Sequence, residues 1–300
     1  MVQSVGSPTT VGASTKVVFQ GEPGAFSEEA VEAYFGPAVE RAAVPSWRAV
    51  FEAVRDGAPA GVVAIESSLA GSIRETYDLL NEFYDSGIRI VGETTVPVRL
   101  ALLGLPAARV DEIDRVYSHA QALAQADQFL RTRGWQVLTT YNTAGAAKLV
   151  AEGADRRAGA IASPRAASLY GLEVLADTVQ SGDDNRTRFA VLGREGSEAP
   201  AGSRWAGRPE PSVARKTTLV FAVRNVPGSL HRCLGAFAEP GVNLSRLESR
   251  PARTARWEYV FWVDLDADAA DPVCASALDD LRDEAEMVRI LGSYAAAPDG

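Results

Sequence analysis

Residues 17–31, VVFQGEPGAFSEEAV, decide the reading of the fold. Val17-Val18-Phe19 is a short apolar run, stopped by Gly21, Pro23 and Gly24; Ser27-Glu28-Glu29-Ala30-Val31 then starts a helical pattern with Ser27 placed as N-cap. The stretch reads strand, glycine turn, helix. The same grammar recurs, with strands at 61–65, 88–91 and 99–105 and a helix at 72–84. A second unit starts near Ala107, with a strand end at Val116-Tyr117, helices at 120–133 and 143–152, and strands at 136–140, 159–161 and 189–192. Alternating β and α elements predict parallel-rich α/β sheets in two lobes, about 16–106 with a return segment near 189–195 and about 107–188. A cleft between lobes is expected where strand ends and helix N-termini converge.

Length and composition bound the chemistry. The 300 residues suffice for two or three domains of about 100–150 residues. With only two histidines and two cysteines, the cysteines far apart in sequence, the chain is not expected to build a His/Cys zinc cluster, an iron–sulfur site or a disulfide scaffold. Hydroxyls, amides, carboxylates, arginines and backbone dipoles remain. Cys233 and Cys274 read as reduced, partly buried thiols. A formal charge of −9, with no basic tail in the C-terminal third, argues against nucleic acid. Residues 1–15 read as a disordered lead-in with no signal-peptide pattern, and no apolar run of about 18 residues exists, so a cytoplasmic protein is expected. Residues 196–215 read as a linker, and 216–295 then run strand, helix, strand, strand, helix, strand. That order is the ferredoxin-like βαββαβ unit.

Four stretches carry candidate chemistry. The turn through Ala25, Phe26 and Ser27 opens a helix whose free N–H groups favour an anion, although glycines there also serve plain turn geometry. Glu66-Ser67-Ser68-Leu69-Ala70-Gly71-Ser72 offers a carboxylate and three hydroxyls after a buried strand, and reads equally as a capped helix start. Ser118-His119-Ala120-Gln121 precedes Gln125 by one turn, with His119 readable as a base or an ordinary capping group. Asp183-Asp184-Asn185-Arg186-Thr187-Arg188-Phe189 gathers a hydroxyl, an amide and two guanidiniums, or is a solvated turn.

Taken in order, Gly21–Ser27, Glu66–Ser72 with Tyr77-Asp78-Leu79-Leu80, Ser118–Gln125, Ala160–Ala167 with Leu169-Tyr170-Gly171-Leu172, and Asn185-Arg186-Thr187-Arg188-Phe189 resemble the motifs of prephenate dehydratases. Gly71-Ser72-Ile73 and Asn142-Thr143-Ala144-Gly145-Ala146-Ala147 are closest in wording to the branch that includes plant arogenate dehydratases. Asn225-Val226-Pro227-Gly228-Ser229-Leu230 and Glu248-Ser249-Arg250-Pro251 are similar to the two phenylalanine-contact motifs of the family's ACT regulatory domain. The resemblance spans about residues 17–294.

It implies a two-lobed, periplasmic-binding-protein-like catalytic domain over 16–195 and an ACT domain over 216–295. The implied reaction removes carbon dioxide and water from prephenate to give phenylpyruvate, or from arogenate to give phenylalanine, without metal or redox cofactor. By resemblance Thr187 is the catalytic hydroxyl, while Ala25, Phe26, Ser27, Glu66, Ser67, Ser68, Gly71, Ser72, Ser118, Gln121, Gln125, Asn185, Arg188 and Phe189 surround the substrate. For Arg188 a structural ion pair is the competing reading. The ACT resemblance implies phenylalanine as effector of a homodimer or homotetramer. Alternatives are a non-catalytic amino-acid sensor and a prephenate decarboxylase without aromatisation. The sequence departs from the family at Ser67, usually asparagine, at Leu100, where a histidine is common, and at Ala120, usually proline.

Overall fold

The computed structural model describes residues 16–182, 184–197, 213–251 and 259–297. Three sheets organise them. The first runs β2 (Arg41–Val44), β1 (Val17–Gln20), β3 (Gly61–Ser67), β11 (Arg186–Arg194), β5 (Ile88–Pro97), with the short β4 (Gly71–Ser72) folded onto β3. β1 is parallel to both its neighbours, whereas β11 runs antiparallel to β3 and β5. The sheet is therefore mixed rather than parallel-rich, because a strand returning from the second unit enters it from the opposite end. Helices α1 (Phe26–Phe35), α2 (Trp47–Arg55) and α3 (Arg74–Glu82) cover it.

The second sheet runs β10 (Glu173–Ala176), β6 (Ala101–Gly104), β9 (Ala158–Ala162), β7 (Arg115–Ser118), β8 (Gln136–Thr139), flanked by α4 (Ala120–Gln125), α5 (Asp127–Arg131), α6 (Thr143–Gly153) and α7 (Pro164–Tyr170). The chain passes between these two sheets at residues 98–100 and again at Asn185, so β6 belongs to the second sheet and Thr187 and Arg188 to the first. The helix expected at 120–133 is two short ones that meet at Ala126.

The third sheet runs β13 (Leu244–Pro251), β14 (Tyr259–Leu265), β12 (Arg215–Ala222), β15 (Met287–Ala295), with α8 (Ser229–Ala238) and α9 (Pro272–Glu284) on one face. The βαββαβ order is as read from the sequence. Cys233 and Cys274 are free thiols, fully buried under those helices. The expected lead-in at 1–15 and most of the expected linker, 198–212, lie outside the described residues.

The third sheet shares a core with the first. Val220, Trp262, Leu291 and Tyr294 pack among Ile65, Tyr77, Leu80, Ile90, Ala190 and Leu192, and Trp262 meets Tyr77 edge-on at 5.0 Å. At its closest point Gly292 of β15 lies directly on the backbone of Ile90 in β5, where a Cβ would overlap the Ile90 carbonyl. Among the described residues no helix is long and apolar enough to cross a membrane.

Candidate active site

A cavity of about 270 Å³ opens between the first and second sheets. Its floor is β3 and β11. Side chains alternate along a strand, so Thr187 and Phe189 face the cavity while Arg188 faces the other way. On β3 a bulge breaks that alternation: Arg188 pairs with Glu66 but Phe189 with Ala64, leaving Ile65 without a partner. Ala64 and Ser67 consequently both line the cavity, whereas Ile65 lies in the core on the other side and Glu66 meets Arg188.

Helix termini form the walls. α1 starts after Ala25, which is extended and offers no side-chain cap, so Ser27 is the second helical residue rather than the N-cap. Its side chain is buried, and it lines the cavity with Ala25 and Phe26. The N–H groups of Phe26 and Ser27 stay open there, while Glu28 N bonds Ala25 O at 3.0 Å. Opposite, Asn142 caps α6 by accepting from Gly145 N at 2.5 Å, and Tyr141, Asn142 and Thr143 line the cavity. Thus α1 and α6 both direct the positive ends of their dipoles at one space.

The start of α4 contributes His119, Gln121, Ala122 and Gln125. Burial lowers the His119 pKa, and its Nδ1 accepts from Gln121 N at 3.4 Å, which leaves Nε2 carrying the proton of the neutral ring. Asn185 is buried and donates Nδ2 to Gln125 Oε1 at 3.0 Å, so Gln125 keeps its own N–H donors. Ser67 Oγ accepts from Leu69 N and Ala70 N at 3.4 and 3.3 Å, which leaves its proton to be donated. The Thr187 hydroxyl has no hydrogen-bond partner among the described residues. Trp47, Ile73, Val98, Leu100 and Phe189 supply apolar surface. No Asp, Glu, Lys or Arg lines the cavity among the described residues.

At the rim, helices of the second sheet grip the turn before α1. Tyr141 Oη donates to Glu22 at 3.1 Å, Ser163 Oγ to Gly24 O at 3.0 Å and Tyr170 Oη to Pro23 O at 2.8 Å.

Several sequence-derived site residues lie elsewhere. Ser118 is wholly buried and donates to Ile161 O at 2.5 Å, pinning β7 to β9. Ser68 donates to Asp184 O at 2.9 Å and accepts from Arg186 N at 3.0 Å, holding the loop before β11; Asp183 lies outside the described residues. Gly71 is exposed with φ +74°, the turn that returns β4 onto β3. Ser72 donates to Glu248 Oε2 at 2.5 Å and accepts from Arg246 at 2.6 Å, so it faces the third sheet.

Arg188 needs the fullest correction, because it bonds Glu66, Glu93 and Asp264 at 2.9–3.1 Å on the face away from the cavity. Burial works against its charge, but Asp264, then Tyr294, Glu93 and Glu66, more than offset this and hold its pKa above the ordinary arginine value. The structural ion pair is the reading that the geometry bears out.

The two motif segments of the third sheet lie at one end of it. Ala222, at the end of β12, pairs with Val260, which pairs with Arg250, so the turn 225–228 and the end of β13 sit about two strand spacings, ~10 Å, apart. Gly228 takes φ +84°, Ser229 is buried and bonds Arg224 O and Val226 O, and Asn225 and Pro227 are exposed beside the half-buried Leu230. Along β13, Ser249 and Pro251 are exposed, while Arg250 meets Asp78 at 2.8 Å and Glu248 meets Ser72 and Arg246. Burial pushes the Glu248 pKa up, but Ser72 and Arg246 outweigh it and hold the carboxyl below its ordinary value.

Sequence reasoning missed Trp47, Tyr141 and the α6 N-terminus as cavity residues. The signals were there: Trp47, Val50, Phe51 and Val54 follow helical spacing after the N-cap Ser46, and Asn142 precedes an alanine-rich helix.

Fold and cavity together define an α/β protein with a small-ligand site between two sheets. A sequence profile of the prephenate dehydratase family matches residues 17–197. The chain belongs to this family. It is 37% identical over 297 residues to arogenate dehydratase/prephenate dehydratase 1, chloroplastic, of Arabidopsis thaliana, covering 93% of this chain and 71% of that one. The solved prephenate dehydratase of Arthrobacter aurescens in complex with L-Phe superposes with a TM-score of 0.81 at 32% identity, covering 93% of this chain and 90% of that one. A solved chain described as GqqA, a novel type of quorum quenching acylase, also reaches a TM-score of 0.81, at 35% identity and coverages of 94% and 98%.

Proposed function

We propose that this enzyme converts prephenate to phenylpyruvate, carbon dioxide and water, or arogenate to phenylalanine, in phenylalanine biosynthesis under regulation by phenylalanine. The observation that carries this reading is the neutral cavity: Thr187, Ser67 and Gln125 converge in it between two helix N-termini, with no charged side chain among the described residues. A dianion can bring the carboxylate it retains to a helix N-terminus. Phe26, Phe189, Leu100 and Trp47 offer apolar surface for the ring and a poorly solvated setting for the departing carboxylate. Thr187 donates to the leaving ring hydroxyl; one proton must reach that oxygen as the C–O bond breaks and the C–CO₂ electrons enter the ring. A threonine hydroxyl is a weak acid, so it acts as a donor within a relay that ends in bulk water. Orientation and hydrogen bonding suffice because aromatisation drives the step.

The acylase description of one structural relative raises a hydrolytic alternative. That chemistry needs a hydroxyl activated by a base, and the only His119 ring bond among the described residues is to Gln121 N, which favours the dehydratase. In the same reading residues 16–195 are a two-lobed catalytic domain and 216–295 an ACT domain that takes phenylalanine near Asn225–Leu230 and Glu248–Pro251, in a homodimer or homotetramer. Purified protein mixed with prephenate should yield phenylpyruvate absorbance in alkali, and with arogenate, phenylalanine; no product from either substrate removes the proposal.

Ser67 also permits a direct test. An asparagine Oδ1 can accept from Leu69 N and Ala70 N as the serine does and still offer an amide to the ligand. Ser67→Asn is expected to retain or raise kcat/KM, measured by the same assay. A large loss would assign Ser67 to a different ligand pose.

A further inference from the structure

We propose that Arg188 is a positioning residue through which the third sheet sets the placement of Thr187. The inference rests on the dehydratase reading of the cavity. Thr187 and Arg188 are adjacent on β11 and point to opposite faces, so any twist of the strand that displaces one displaces the other. On the β3 side the backbone ladder is interrupted at this point, because the bulge opposite Arg188–Phe189 leaves Ile65 without a partner on β11, while the β5 ladder runs on unbroken there.

Side chains hold what the ladder does not. Arg188 reaches Glu66 on β3 at 2.9 Å, Glu93 on β5 at 3.0 Å and Asp264 on β14 at 2.9 Å. It thereby clasps both neighbouring strands and ties all three to the third sheet. The acceptors are themselves fixed: Thr218 Oγ1 donates to Asp264 Oδ1 at 2.7 Å, and Lys216 Nζ and Ala297 N donate to Glu93 Oε1 at 3.0 and 2.9 Å. Asp264 and Glu93 side chains are only 4% and 2% exposed, so water does not compete for the guanidinium. The β3 and β5 contacts lie within the plane of the first sheet; the bond to Asp264 adds an anchor from behind it.

Asp264→Ala tests this. The deletion leaves Glu66 and Glu93 facing Arg188 and Lys216, so three carboxylates against two cations become two against two and no cation is left unpaired. With prephenate and arogenate, at a temperature where near-ultraviolet circular dichroism reports a fully folded variant, kcat is expected to fall about tenfold with KM within about twofold, since small misplacements of catalytic groups act on turnover. Asp264→Asn keeps one acceptor for Arg188 and is expected to recover part of that loss. Thr218→Val, which deletes the hydroxyl that bonds Asp264 and Tyr294 but keeps the Asp264 carboxylate, provides a second variant with an expected fall of about threefold should Asp264→Ala not fold. A purely structural network would lower the melting temperature and leave kcat of the folded protein unchanged, which overturns the proposal; so does a rise in KM alone. An inactive wild-type protein would overturn the dehydratase reading and the inference with it.

Discussion

Thr187→Val is expected to lower kcat by about 100- to 1,000-fold, with KM changed by less than about threefold, the scale observed when a hydrogen-bond donor to a transition-state oxygen is removed. That range corresponds to roughly 3–4 kcal/mol of transition-state stabilisation. Valine matches threonine in shape and suits a strand, so β11 loses nothing in packing. The Thr187 hydroxyl bonds no protein group among the described residues, and no buried partner is orphaned by its loss. Melting temperature should therefore stay at the wild-type value, checked by differential scanning fluorimetry. A variant of normal turnover would move the chemistry to another group on the cavity wall, such as Ser67, Ser27 or His119.

The largest expected loss of stability falls far from the cavity. Gly292→Ala places a Cβ on the Ile90 carbonyl; the Cβ is fixed rigidly to the backbone of one paired strand and the carbonyl is backbone of another, so neither can step aside. The clash must be relieved by separating β15 from β5, which opens the core shared by Leu291, Tyr294 and Trp262 with Ile90. Overpacking of this kind costs about 3 kcal/mol, and more where backbone must move. Gly235→Ala is the control: it sits within α8, where an added methyl meets only Glu239 Oε1 at 4.0 Å, and alanine is expected to be neutral or to stabilise by about 0.5–1 kcal/mol. Urea denaturation of both variants measures the contrast. Equal midpoints would mean that the first and third sheets do not pack at Ile90.

Much of the architecture was readable from residue pattern alone, and the places where it was not share a cause. β5 runs over ten residues, yet only Ile88–Val91 looks like a strand in sequence. Gly92-Glu93-Thr94 is polar but buried, because β11 covers one edge and brings Arg188 to the Glu93 carboxylate, while the third sheet supplies Lys216. Helix α7 hid behind Ser163-Pro164, an N-cap followed by a first-turn proline that marks a helix start. Residues 120–133 keep an unbroken helical composition, and at the break before Ala126 the Gln125 carbonyl accepts from Ser181 N at 2.7 Å, a long-range contact that no local propensity encodes.

The site divides in the same way. The order of motifs along the chain carries the family, the sheet alternation and the βαββαβ unit, since turn chemistry, capping residues and apolar periodicity are local properties written residue by residue. Sequence alone also placed Thr187 beside Arg188. Which of the two faces the cavity was beyond it, because a strand presents neighbours to opposite sides and only the packing of the third sheet on the back of β11 makes one side a buried ion cluster and the other a ligand wall. Ser72 and Glu66 likewise face away from the cavity, toward Glu248 and Arg188, while Tyr141 before α6 and Trp47 on α2 line it; those assignments depend on contacts between residues far apart in the chain.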